Sequence, residues 1–85
     1  MIQVRYFASL REALGAGEAV DLAIVGPVPT VASLREALVA RGGRHAEVLA
    51  RGRAVRCAVN QAMADDATPI PVAAEVAFFP PVTGG

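Results

Sequence analysis

No lysine occurs in this 85-residue sequence, in which all eight basic side chains are arginine. There is no tryptophan, and cysteine, histidine and tyrosine each occur once. A single cysteine cannot close an internal disulfide, and with His45 alone it supplies too few ligands for a zinc site. A disulfide-stapled fold and a zinc module are therefore excluded. Eight acidic residues balance the arginines to a formal net charge of zero, which removes the bulk electrostatic argument for nucleic acid. No apolar run approaches the ~18 residues of a membrane-spanning helix. The amino terminus reads directly into a strand pattern, with no basic segment followed by an apolar one, so no signal peptide is expected. The expectation is a cytoplasmic chain that contacts neither nucleic acid nor membrane. No phosphate-binding loop, dinucleotide fingerprint or nucleophile elbow is present.

The composition is 54% hydrophobic, too apolar for a disordered chain, and the length allows one domain with a well-filled core. Residues 1 to 7 alternate, with Ile2, Val4 and Tyr6 on one face and Gln3, Arg5 and Phe7 on the other, as in a half-buried strand. Ser9-Leu10-Arg11-Glu12 has the form of a capping box and opens a helix of about two turns that Gly15 and Gly17 stop. Residues 18 to 24 alternate again, placing Val20, Leu22 and Ile24 together in a second strand before the Gly26-Pro27-Val28-Pro29 loop. Thr30 is positioned as an N-cap, and Val31, Leu34, Ala37 and Leu38 form the apolar stripe of the main helix, which Gly42-Gly43 ends. A short helical turn follows over 45 to 50. Residues 54 to 61 form a third strand with Val55, Cys57 and Val59 inward. The segment 63 to 71 reads as turns with at most one short edge strand, and residues 75 to 79 form a last, very apolar strand that needs a central place. One mixed sheet wrapped around the helix over 30 to 41 satisfies this order. The expected fold is α+β, a β-grasp (ubiquitin-like) roll, with a domain over 1–79 and an extended tail over 80–85.

Most chemical side chains read as structure. Cys57 alternates with valines and is expected to pack in the core. His45 has no partner ligand nearby in sequence and is expected at the surface. Arg51, Arg53 and Arg56, with Arg41 and Arg44, suggest a basic edge, either merely solvated or used to steer an acidic partner. Asp65 and Asp66 read as turn chemistry rather than as a catalytic pair. Parity places Phe79 with Glu75, and Phe7 with Gln3 and Arg5, on the solvent side. If the two strands are neighbours these rings form an apolar patch for a partner. The alternatives are that loops cover them or that they lie past the strand ends.

The remaining claim belongs to Pro80-Pro81-Val82-Thr83-Gly84-Gly85. Two glycines can thread a slot too narrow for any Cβ, and the prolines keep the base of the arm extended. Six residues project the Gly85 carboxylate at most about 20 Å from the sheet. The tail's other reading is a frayed end or an expression scar; the apolar strand and Pro80-Pro81 directly before it favour a presented terminus. With no lysine, isopeptide chains of this protein on itself have no side-chain acceptor.

The run Glu75-Val-Ala-Phe-Phe-Pro-Pro-Val-Thr-Gly-Gly85 resembles the carboxyl end of the molybdopterin synthase small-subunit family, the ubiquitin-like sulfur carriers of molybdenum-cofactor synthesis. Val4-Arg-Tyr-Phe-Ala-Ser-Leu-Arg-Glu12, Thr30-Val31 and Ala58-Val-Asn-Gln61 are similar to the same family. Pro71-Val-Ala-Ala-Glu75 departs from it, standing where the family carries an Asp/Gly-rich turn. The resemblance implies that a ubiquitin-activating-like adenylyltransferase uses ATP to adenylate Gly85, that sulfur replaces AMP, and that the thiocarboxylate enters the large synthase subunit. There it would convert cyclic pyranopterin monophosphate to molybdopterin. It implies a heterotetramer in which this subunit is a non-catalytic sulfur donor, with no bound cofactor or metal. Pro80, Pro81, Val82, Thr83 and Gly84 would position Gly85, while Phe7 and Phe79 would bind the partner. A carrier for thiamine, cysteine or tRNA thiolation, a ubiquitin-like modifier, and a plain interaction domain are the other readings.

Overall fold

The computed structural model describes residues 1–50 and 52–81. Five strands form one mixed sheet in the order β2-β1-β5-β3-β4. The strands are β1 (Ile2–Tyr6), β2 (Gly17–Val20), β3 (Arg56–Val59), β4 (Ala62–Ala64) and β5 (Glu75–Phe79), with helices α1 (Ala8–Leu14), α2 (Val31–Val39) and α3 (Gly43–Leu49) between them. The last strand is central, as its apolar sequence demands: β5 runs parallel to β1 and antiparallel to β3. Ile2, Val4, Tyr6, Val76, Phe78, Cys57 and Val59 line the inner face, against Leu10, Val31, Leu34, Leu38 and Leu49 from the helices. This is the expected β-grasp arrangement, in which neither face of an alternating strand is wasted: one set of side chains fills the core and the other faces out.

The main helix begins where Thr30 predicts. The Thr30 hydroxyl accepts from the Ser33 amide at 3.2 Å, and the Ser33 hydroxyl oxygen accepts from the Thr30 amide at 2.8 Å. This reciprocal box satisfies two of the donors that any helix N-terminus leaves unpaired. The capping box expected at Ser9 and Glu12 does not form. Helix α1 starts two residues earlier, at Ala8, and its N-cap is Phe7 in place of Ser9, with no side-chain acceptor. The cause is the sheet. The Phe7 N–H still donates to the Phe78 carbonyl at 3.1 Å, extending the β1–β5 ladder by one step, and Ala8 at φ +52° turns the chain sharply into the helix.

The second strand is also shorter than the alternation predicts. It ends at Val20, residues 22–24 form a single 3₁₀ turn, and Ile24 is 60% exposed. Asp21 ends it: its carboxylate accepts from the Ala23 amide at 2.9 Å and its carbonyl from the Ile24 amide at 3.1 Å, a local turn that competes with continued pairing. Gly17, expected to stop a helix, instead opens β2. A Cβ there would lie 2.4 Å from the Val4 carbonyl oxygen, so only glycine fits this close approach. The 45–50 turn is a full helix, α3, whose Leu49 is completely buried.

At the other edge, β3 and β4 are joined by Asn60 and Gln61 at φ +48° and +70°, the two-residue turn whose twist matches that of the strands. Asn60 also exchanges hydrogen bonds with Glu75, its Oδ1 accepting at 3.0 Å and its N–H donating at 2.8 Å. The turn before β5 is closed by the Ala74 N–H on the Pro71 carbonyl at 3.2 Å, with Ala73 at φ +61°. An alanine thus occupies a left-handed position that glycine ordinarily takes. Among the described residues no helix is long and apolar enough to cross a membrane.

Candidate functional site

Strand β5 ends at Phe79, and Pro80 and Pro81, both half-buried, follow without regular structure. The expected positions Val82, Thr83, Gly84 and Gly85, and Arg51 of the basic edge, lie outside the described residues. The Tyr6–Phe78 register of the parallel pair, continued by the Phe7 hydrogen bond, brings Phe7 and Phe79 side by side at the tail root. Phe7 is 44% exposed and Phe79 half-buried. Phe7 lies just past the end of β1, so one of the alternatives raised for it applies to its backbone.

The outer sheet face around them is laid out by register. Arg5 pairs with Ala77, Ala77 with Ala58, and Ala58 with Met63, while Arg56 stands opposite Phe79. Two alanines thus make a low floor between the Phe7/Phe79 pair and Met63, which is 64% exposed. Arg5 and Glu75 close the near side with an exposed ion pair at 3.3 Å. Met63 was not among the site residues expected from sequence; the signal for it is the alternation of a strand only three residues long. On the helix side, a groove of about 380 Å³ runs beside Pro80, lined by Ser9, Leu10, Val48, Arg53 and Val55 among others.

The charged residues fall differently from expectation. His45 is not a free surface residue. Its Nε2 donates to Glu18 Oε2 at 2.7 Å, and its ring meets Tyr6 edge-on at 6.3 Å. The Tyr6 hydroxyl donates to the same oxygen at 2.7 Å, and Arg41 donates to Glu18 Oε1. Arg41 therefore belongs to this cluster and not to the basic edge. Burial by itself raises the Glu18 pKa, but the bonds from His45, Tyr6 and Arg41 outweigh it and hold the carboxyl below its ordinary range. Sequence spacing cannot show this cluster, because its members come from β1, β2, the turn after α2, and α3.

A pH dependence follows. A carboxylate with a depressed folded-state pKa contributes stability that is present above its unfolded value, about 4.3, and lost as pH falls through the folded value. Glu18→Gln is expected to cost about 1.5–3 kcal/mol at neutral pH, the scale of a charged hydrogen-bond set. That cost should shrink towards zero as pH falls through the Glu18 pKa. Urea titrations of both proteins at neutral and acidic pH check it, and a cost independent of pH would refute the role given to the charge.

Arg35, which sequence reasoning missed, ties α2 to the α3–β3 connection by donating to the carbonyls of Leu49, Ala50 and Arg53 at 2.6, 2.7 and 3.0 Å. Cys57 is buried as expected, and burial, with the Asp66 charge, pushes its thiol up to about 11. Asp65 makes turn contacts to Ala67 and Thr68, as its setting predicts. Among the described residues no three His, Cys, Asp or Glu side chains come together as a metal set.

The chain matches the model of the ThiS family over residues 4–85. It is 42% identical to the molybdopterin synthase sulfur carrier subunit of Escherichia coli (strain K12) and 35% identical to that of Haemophilus influenzae, with the whole of both chains covered in each case. The crystal structure of SAMP1 from Haloferax volcanii has a TM-score of 0.69 at 25% identity, covering 99% of this chain and 98% of that one. A second Haloferax volcanii structure, of small archaeal modifier protein 1, has a TM-score of 0.66 at 24% identity over 95% of this chain and 97% of the other, a likeness of fold.

Proposed function

From its membership of the ThiS family, to which this chain belongs over residues 4–85, we propose that it is the sulfur carrier subunit of a molybdopterin synthase. The observation that carries this reading is the end-to-end similarity to two subunits of that name, joined to a tail root that leaves the central strand directly after Phe79, beside Phe7.

The chemistry asks little of the carrier and much of its terminus. A carboxylate is a poor electrophile until one oxygen becomes a good leaving group. In the proposed cycle a partner adenylyltransferase joins the Gly85 carboxylate to the α-phosphate of ATP, releasing pyrophosphate. A sulfur nucleophile then attacks the acyl carbon and AMP departs, leaving a thiocarboxylate. In the large subunit that sulfur displaces a carbon-bound oxygen of cyclic pyranopterin monophosphate, and water then attacks the acyl carbon and breaks its bond to sulfur, so the sulfur stays on the pterin and the tail returns to the carboxylate. Catalytic side chains belong to the partners; this chain contributes the terminus and the surface that aims it.

Ordering energies divide the labour between surface and tail. Fixing each tail residue costs roughly 1–2 kcal/mol, most for glycine, while burying Val82 returns about 1.5–3 kcal/mol. The tail therefore adds little net affinity, and the outer face at Phe7, Phe79 and Met63 supplies the binding.

The test is intact mass after incubation with the activating enzyme, ATP and a sulfur source. A carrier gains the difference between one sulfur and one oxygen at Gly85. Absence of that gain with a competent enzyme would overturn the proposal, and an adduct on the lysines of other proteins would instead identify a modifier.

A further inference from the structure

An acyl-adenylate is indiscriminate. Any good nucleophile attacks the acyl carbon, the new bond forms as the carbon–oxygen bond to AMP breaks, AMP leaves with the electron pair, and an attacking amine or thiol releases its proton to solvent. A carrier whose own terminus is activated in this way is exposed to reaction with itself and with its copies. Lysine amines, cysteine thiolates, tyrosine phenolates and imidazoles are the usual acceptors.

The chain has no lysine, and its eight arginines stay protonated and do not attack acyl groups. Its one thiol, Cys57, is 5% exposed, and burial keeps it in the unreactive protonated form. Its one phenol, Tyr6, is 1% exposed and donates its proton to Glu18, and burial raises its pKa further. Its one imidazole is half-buried, with Nε2 bonded to the same carboxylate. The hydroxyls of Ser33 and Thr30 bond each other, and Thr68 bonds Asp65. None of the serines or threonines in the described residues has a histidine beside it to act as base. Every Cys, His and Tyr of the sequence lies within the described residues.

Resting on the carrier reading above, we propose that, among its described residues, the folded chain presents no side chain able to accept an acyl group. An activated Gly85 is thereby kept from the side chains of its own chain and of a second copy, which leaves the α-amine of Met1, 65% exposed, as the one amine to compete with the sulfur nucleophile of a partner. The device has two parts. Every basic side chain is arginine, which keeps solubility and steering charge without a nucleophile. The single thiol, phenol and imidazole are then withdrawn by burial and by the Glu18 carboxylate.

The full chain treated with N-hydroxysuccinimidyl acetate at neutral pH, read by intact mass and peptide mapping, tests this. The folded protein is expected to take one acetyl group, on the α-amine of Met1. Arg44→Lys, at an exposed helical position, is expected to take two. In concentrated urea the parent is expected to take further groups at Cys57 and Tyr6. Acetylation of Cys57, Tyr6 or His45 in the folded protein at a rate comparable to the α-amine would overturn the proposal. So would a urea-unfolded chain that stays at one acetyl, since the fold would then conceal nothing. The reagent needs no activating enzyme, so this result is separate from the mass gain that tests the carrier reading.

Discussion

Deleting Gly85 is expected to abolish sulfur transfer while leaving binding to the large subunit nearly intact. The shortened chain still ends in a carboxylate, on Gly84, so the chemistry of its terminus is unchanged. What changes is reach, by about 3.3–3.6 Å. Reacting atoms must come within about 3–3.5 Å in line, and a misplacement of even 1 Å costs on the order of 10²-fold in rate. The loss should therefore be at least about 10²-fold, either at adenylation or at delivery to the pterin. Phe79→Ala is the complementary case. Removing a half-buried ring at the tail root should cost about 2 kcal/mol of large-subunit affinity, roughly thirtyfold, with the terminus still chargeable once bound to an activating enzyme. Titration calorimetry against the large subunit and single-turnover sulfur transfer separate the two. Equal affinity for Phe79→Ala and parent would refute the division between docking face and aiming tail.

Phe78→Ala is expected to destabilise the fold by about 3–5 kcal/mol, the range for large aromatic deletions in cores. Phe78 is 1% exposed in the central strand and stacks on Tyr6 at 6.4 Å between ring centres. Small domains have total stabilities of about 5–15 kcal/mol, so this one truncation removes a large share. Phe78→Leu, which keeps most of the volume, should cost far less. A urea midpoint measured at constant slope reads the difference, and a shift below about 1 kcal/mol for the alanine variant would contradict the packing described. Because Phe78 and Phe79 are adjacent in sequence but point to opposite faces, the pair forms an internal control. The first variant should lose stability, and the second should lose chiefly partner affinity.

Much of this architecture is legible in the chain itself. Period-two alternation marks β1, β3 and β5, because inward and outward side chains face different solvents. Thr30 marks the start of α2, and the apolar content of residues 75–79 requires a central strand. The Gly84-Gly85 terminus after Pro80-Pro81 carries the proposed chemistry without any tertiary contact, since its handle is a backbone carboxylate. Other features are decided only by distant groups. The helix at Ala8 begins where the ladder to Phe78 ends, which overrides the Ser9–Glu12 signal. Asp21 ends β2 by a turn that competes with alternation. His45 is partly covered and paired because β2 brings Glu18 beneath α3, 27 residues away in sequence. The absence of lysine is plain in the composition, but the withdrawal of Cys57, Tyr6 and His45 is decided by the fold. Burial and pairing depend on which elements meet, and no local spacing encodes that.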